Sequence, residues 1–310
     1  MLWGIFAQSI PDIDFIAATW LDTTSNLLVH RGFTHSIFFA IAISMVMAWL
    51  ANSWHRPHNI SFRRWIFFFL MATGSHIFLD TFNNYGVGLL EPFHHYRMSF
   101  NTIYVADPFF SIAPGIAVVM LLLLKQQHVK RRFWWKFGLV ISAVYLSYCV
   151  VDKTIIDHDV KKILDRKNIP YTRYLTTPAP LQNWLWFVVA GNDSGYYVGY
   201  RSVFDRQNDM HLEFFPRNDS LASSFPDKKT LEKLVFFSQY FYTIEKRVDT
   251  LVFNDLRFGQ VTGWHNPKEE FAFHYYLQPD IDNTLVVQRG RFAKWNEATF
   301  KTYIRRIKGD

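Results

Sequence analysis

The chain has 310 residues, half of them hydrophobic and 18% aromatic, with 31 Phe, 11 Trp and a formal net charge of +7. That length holds a membrane bundle plus one soluble domain, and that aromatic load suits membrane interfaces better than an ordinary soluble core. The single cysteine, Cys149, excludes an intrachain disulfide, and no zinc-finger, P-loop or Rossmann pattern occurs. The positive charge could serve nucleic acid or anionic lipid; because much of it flanks apolar runs, membrane lipid is the expected partner and nucleic acid is not.

The first residues, Leu2 to Ile10, are apolar but short and lack a basic lead, so they do not read as a signal peptide. Pro11-Asp12-Ile13-Asp14-Phe15 follows. Its two carboxylates share a face if the segment is extended and part company if it is helical, and either can instead cap a helix. Next comes His30-Arg31-Gly32-Phe33-Thr34-His35-Ser36. Arg31 there can clamp an anion such as phosphate, or merely touch lipid headgroups.

Four apolar runs stand out, Ser36 to Ala51, Trp65 to Leu79, Pro108 to Leu124 and Phe133 to Val151. A bilayer core asks for roughly 20 residues, with a tolerated range of about 17 to 25, which the last two meet comfortably and the first two reach only with flanking residues or local thinning. Basic residues gather in two loops, from His55 to Arg64 and from Lys125 to Arg132. Both lie on one side of a four-span zigzag, and the positive-inside rule makes that side cytoplasmic. The other side, the periplasm in a bacterium, then receives the N-terminal segment, the loop from Thr81 to Asp107 and everything after Asp152.

Beyond Asp152 the pattern becomes mixed and charged. Trp184 to Ala190 and Tyr196 to Phe204 read as a hairpin with a longer loop over Gly191 to Gly195. Lys228 to Lys246 reads as a helix; Val248 to Phe258, Glu270 to Leu277 and Thr284 to Arg289 read as strands. Asp255 and Arg257 form an ion pair or a turn, exposed and of little consequence. The expected fold is an α-helical membrane bundle of about four spans over residues 1–151, followed by a soluble extracytoplasmic α+β domain over residues 152–310.

His76 and Asp80, at the end of the second run, are four residues apart and so share one helix face. Alone the pair can be a divalent-ion site or a capped helix end. The topology also carries the Asp12–Asp14 and His30–His35 segments to the same face. Together they suit zinc, or manganese, whose open position lowers the pKa of bound water. The loop residues Asn83, Asn84, Glu91, His94 and His95 can add donors, and Asp107 before Pro108 is equally a helix cap.

Pro11-Asp12-Ile13-Asp14, His30-Arg31-Gly32-x-Thr34-His35-Ser36 and His76-x-x-x-Asp80, with Gly86 and Pro92 after them, resemble the YdjM-like family of inner-membrane metal-dependent hydrolases. That family is in turn similar to zinc-dependent phospholipase C and P1-type nucleases. The resemblance implies that His35, His76, Asp80 and one of Asp12 or Asp14 bind metal, with His30 and Arg31 close by. Asp14 is taken as the ligand, leaving Asp12, His30 and Arg31 in catalytic roles. Family members begin with a further helix carrying a His; here Met1 stands just before Pro11, which implies a start at an internal Met or a site without that ligand. The expected function is a membrane-bound hydrolase of a phosphoester or phospholipid. The alternative is a non-catalytic membrane protein with a structural metal or polar cluster and a partner-binding outer domain. A transporter is disfavoured because few ionisable residues lie inside the runs.

Overall fold

Ser36 opens the first long helix, its hydroxyl accepting the Phe39 N–H at 3.0 Å. The structure is a computed structural model that describes residues 2–55, 59–223, 225–278, 281, 283–284, 286, 292 and 294–309. In chain order its helices are α1 (Leu2–Ser9), α2 (Thr23–Val29), α3 (Ile37–Trp54), α4 (Phe62–Asp80), α5 (Pro108–Leu123), α6 (Arg131–Arg166), α7 (Asp219–Ala222), α8 (Lys228–Phe237) and α9 (Glu297–Ile307). Two 3-10 helices, Pro11–Thr19 and Phe33–His35, lie among the first of them. The strands are β1 (Arg173–Pro178), β2 (Leu185–Asn192), β3 (Gly195–Ser202), β4 (Leu212–Pro216), β5 (Tyr242–Arg247), β6 (Thr250–Gln260) and β7 (Phe271–Tyr276).

The chain divides into two compact units, Met1–Phe100 with Asp227–Tyr240, and Asn101–Pro226 with Phe241–Asp310. In the first, α3 and α4 pack along a seam of Met47, Ala48, Ala51, Trp65 and Phe69, joined by Ala7 of α1. The small alanines let α4 approach closely, and Trp65 stacks on Phe69 with ring centroids 5.6 Å apart. Although α8 comes late in the chain, it packs on α2: Lys233 Nζ donates to Ser25 Oγ at 2.6 Å and lies 3.6 Å from Asp22.

Among the described residues two helices, α3 and α6, are long and apolar enough to cross a membrane. Only 28% of the apolar window of α3 and 17% of that of α6 is buried. A core helix of a soluble protein is mostly covered; these expose rings of Phe, Ile, Val and Trp that water does not favour. Four spans were expected. Here α5, apolar but shorter, has 16 residues, because Asp107 caps its start and it ends before Lys125. In α4 the first turn carries Arg63 and Arg64, which dilute an otherwise aromatic helix.

In the second unit α6 runs unbroken for 36 residues, so the boundary expected between Val151 and Asp152 falls inside a helix. The apolar stripe does not stop there; it narrows. Ile156, Val160, Ile163 and Leu164 recur at helical spacing and cover Trp186, Val188 and Ala190 of β2. The other face of β2, formed by Leu185, Phe187 and Val189, packs with Leu256 and Phe271. Both faces of this strand are therefore buried, as its period of two requires. The sheets are antiparallel, in the orders β1-β2-β3-β4 and β5-β6-β7.

Three local expectations change. Asn192 pairs with Gly195, so the β2–β3 loop is the two residues Asp193 and Ser194, drawn tight by Asn192 Oδ1 accepting the Ser194 N–H at 2.9 Å. The helix expected over Lys228 to Lys246 stops at Phe237, where Gln239 and Tyr240 take positive φ and turn the chain into β5. Asp255 and Arg257 are not an exposed pair. They are 0% and 1% exposed, with Arg257 Nη2 donating to Asp255 Oδ2 at 2.6 Å and Nε to Oδ1 at 3.0 Å. The strand expected over residues 284–289 lies mostly outside the described residues.

Removing one member of a buried pair strands the other charge. Asp255→Ala is expected to destabilise the chain by about 3–5 kcal/mol. The double replacement Asp255→Leu with Arg257→Met should recover most of that loss. Chemical unfolding of the full chain in detergent, followed by Trp fluorescence, measures both.

Candidate metal centre

The long 3-10 helix Pro11–Thr19 is unusual, since such runs rarely exceed four residues. It turns roughly 120° per residue, so Asp12 and Asp14 point in different directions. Asp12 faces the imidazoles of His35 and His76 at 3.4 and 3.6 Å. Asp14 faces the opposite way, into the turn that carries His30 to His35.

Asp14, 6% exposed, accepts three hydrogen bonds there: His30 Nδ1 at 2.9 Å, the Arg31 N–H at 2.8 Å and Thr34 Oγ1 at 2.7 Å. Burial pushes its carboxyl up, but the bonds from His30, Thr34 and Arg31 outweigh that and hold it below the usual carboxylate range. An ionised Asp14 makes Thr34 a donor to it. Thr34 has one hydroxyl proton, so toward His35 Nδ1, 3.1 Å away, its oxygen must accept. In the neutral ring His35 then carries its proton on Nδ1 and turns the Nε2 lone pair toward Asp12 and Asp80.

Arg31 sits at φ 58°, a left-handed conformation that costs a non-glycine residue energy. Both its peptide groups are pinned: its N–H by Asp14, its carbonyl by the Gly88 N–H at 2.9 Å. Gly88 must be small, because a Cβ there would meet Glu91 Cγ at 2.7 Å and Gly32 Cα at 3.3 Å. The Arg31 side chain is thereby turned inward, its Nε 3.4 Å from Asp80 Oδ2 and its guanidinium over the Tyr85 ring at 5.3 Å. Behind it, Arg97 ties the end of α2, with Nη2 donating to Leu28 O at 2.6 Å and His30 O at 2.8 Å.

On α4, His76 and Asp80 are one turn apart, with His76 Nε2 3.5 Å from Asp80 Oδ2. Asp80 Oδ2 lies 3.2 Å from His35 Nε2, while Asn83 Nδ2 donates to Asp80 Oδ1 at 3.3 Å. Asp12, His35, His76 and Asp80 each offer one donor atom, all within 4.8 Å of one another, and the group can hold a metal ion. His35 Nε2, His76 Nε2 and Asp80 Oδ2 are buried and have no hydrogen-bond partner.

The spacing of the group differs from that of a hydrogen-bonded ion pair. Charge-assisted hydrogen bonds run about 2.7–2.9 Å, and the nearby His30–Asp14 bond is 2.9 Å. The four imidazole–carboxylate distances of the group are instead 3.2–3.6 Å. A tetrahedral shell with bonds near 2.1 Å has ligand-to-ligand edges of roughly 3.4 Å. Mixed imidazole and carboxylate donors also match the chemistry of zinc or manganese.

Asp12, His35, His76 and Asp80 thus come together, with Asp12 where Asp14 was expected. Asp14, His30 and Arg31 stand immediately behind or beside them. Glu91 and His95 pair with each other at 2.8 Å, outside the group, and His94 Nδ1 accepts the Tyr96 N–H. Asp107 caps α5. The sequence reading missed Thr34, Arg97 and Tyr85 as site residues. Thr34 stood inside the quoted motif; nothing local marks Arg97 or Tyr85, which arrive from a distant loop.

The family profile described as YdjM inner membrane protein matches residues 1–156. The chain is 33% identical over 96 residues to "Inner membrane protein YbcI" of Escherichia coli (strain K12), covering 30% of this chain and 54% of that one. It is 29% identical over 123 residues to "Uncharacterized protein YfhP" of Bacillus subtilis (strain 168), covering 39% of this chain and 36% of that one. The chain therefore spans about half of the first relative and about a third of the second. No solved structure matches.

Asp14→Ala leaves the His30, Arg31 and Thr34 donors without their acceptor. It is expected to lower stability by at least about 1–3 kcal/mol, read as a drop in the thermal midpoint of the detergent-solubilised chain. An unchanged midpoint contradicts the role given to Asp14.

Proposed function

Because this chain belongs to the YdjM inner membrane protein family, we propose that it is a membrane-bound, metal-dependent hydrolase of a phosphoester. The observation that carries this reading is the convergence of four donors at 3.2–3.6 Å, three of them buried and without hydrogen bonds. Asp12, His35, His76 and Asp80 would hold one divalent ion, zinc or manganese. When bound, such an ion polarises a phosphoryl oxygen and acidifies water.

The chain's own residues supply the rest. Arg31 Nε and Nη1 are buried without hydrogen-bond partners beside Asp80, a placement suited to a phosphoryl oxygen. His30 donates its Nδ1–H to Asp14 in a hydrogen bond, which leaves Nε2 to accept a proton in the neutral ring; its side chain is 37% exposed and so reachable. Thr34 and Asp14 keep His35 in the tautomer that presents Nε2 inward.

A structural ion wants a closed shell of four ligands. Here the Asp12 side chain is 48% exposed, so one edge of the group meets solvent or substrate, which favours the reactive reading. An ion that takes five or six ligands keeps positions open beside these four donors. The helix α3, with α4 packed along it, is read as part of the membrane region, and the basic loop between them as cytoplasmic, which would carry the segments bearing Asp12, His35, His76 and Asp80 to the periplasmic side.

Elemental analysis of the purified full chain tests the reading. About one equivalent of zinc or manganese is expected in wild type and far less in His76→Ala and Asp80→Ala. Thr34→Val, which removes the group that orients His35, should weaken metal affinity by about 10–100-fold. A wild-type chain without stoichiometric metal overturns the hydrolase.

A further inference from the structure

Every segment that bears a candidate ligand also bears exposed apolar rings or chains beside it. Ile13 and Phe15, 49% and 67% exposed, alternate with Asp12 and Asp14. Phe33 is 43% exposed two residues before His35, which is fully buried, and Phe78 is 56% exposed between His76 and Asp80. These exposed residues stand one to three positions along the chain from the candidate ligands.

A loop extends that surface. Its backbone is tied to the site-bearing turn by the Gly88 N–H on Arg31 O and the Ile37 N–H on Leu89 O, at 2.9 and 3.0 Å. It presents Phe93, 81% exposed, whose ring lies 6.1 Å from Phe38; Phe38 in turn lies 6.2 Å from Phe33. Phe38 belongs to α3, and the patch runs without a break into the exposed outer face of that helix at Ile41 and Met45. In water a patch of this extent is unfavourable. Its continuity with a helix fit to cross the membrane identifies what covers it, the headgroup and acyl region of the same bilayer.

On the segment that carries this apolar surface, Arg31 holds a guanidinium that is 11% exposed, with Nε 3.4 Å from Asp80 Oδ2 and Nη1 without a hydrogen-bond partner. We infer that the phosphoester is a membrane lipid, its phosphate held by Arg31 and an acyl chain lying along Phe33, Phe38 and Phe93. The inference rests on the hydrolase reading for the fate of the phosphate, not for the binding.

Photolabelling tests it. The full chain, in nanodiscs of phosphatidylglycerol, is irradiated with a phosphatidylglycerol carrying a diazirine on its acyl chain, and labelled peptides are mapped by mass spectrometry. Label is expected on the peptides containing Phe33–Phe38 and Phe93, and excess dihexanoyl-phosphatidylglycerol should reduce it at least ten-fold. Glycerol 3-phosphate and dihexanoylglycerol should not. In Arg31→Gln the competition should disappear, while label at Ile41 and Met45, from bulk lipid, persists as a check on folding. Equal competition by glycerol 3-phosphate means a site for free phosphate; equal competition by dihexanoylglycerol, or none by any compound, means ordinary lipid contact. Each of these overturns the inference. Metal content is measured in the same sample: metal without competition sinks the lipid site alone, and competition without metal sinks the hydrolase and leaves the lipid site standing.

Discussion

The site depends first on a carboxylate that is not among its four candidate ligands. Asp14 is buried, ionised, and accepts from His30, the Arg31 backbone and Thr34 at once. Those bonds fix three things together. They seat the turn that holds Arg31 in a left-handed conformation, they make Thr34 an acceptor toward His35, and they leave His35 Nε2 without a proton. A buried lone pair with no hydrogen atom to meet it is costly in an apolar setting. Here it shares a small volume with two carboxylate oxygens and a second imidazole, an arrangement that a divalent cation stabilises.

The fold's contribution is to bring these groups together from segments far apart in sequence. α4 supplies His76 and Asp80 one turn apart, and it packs along α3, which Ser36 caps. The 3-10 helix Pro11–Thr19 delivers Asp12 and Asp14 to opposite sides of His35. Arg97 and Gly88 reach back from the following loop to hold the strained turn in place. The outward faces of the same segments are exposed Ile, Phe and Trp. A bilayer is the solvent in which such a polar centre with an apolar exterior is a consistent design.

Much of this was legible in the sequence. His76 and Asp80 declare themselves by spacing alone, and the motif from His30 to Ser36 by its density of donors ahead of an apolar run. The choice between Asp12 and Asp14 was not legible, because it turns on a 3-10 geometry that periodicity over so few residues does not reveal. The spans were legible as apolar runs, while their lengths were decided by caps such as Asp107 and by charges such as Arg63 and Arg64. In the second half, alternating patterns located β2 and β3, but not the tight two-residue turn or the reversal at Gln239 and Tyr240, which local side chains and φ values set. The buried Asp255–Arg257 pair was read as exposed because nothing in a short charged motif reports what packs over it.

Two imidazoles and two carboxylates are placed to hold one ion. X-ray absorption at the metal edge of the purified, zinc-loaded chain tests it most directly. The account predicts a shell of nitrogen and oxygen only, with bonds of about 2.0–2.1 Å and outer scattering from two imidazole rings. A sulfur neighbour, a shell without imidazole scattering, or a chain that retains no zinc would contradict it.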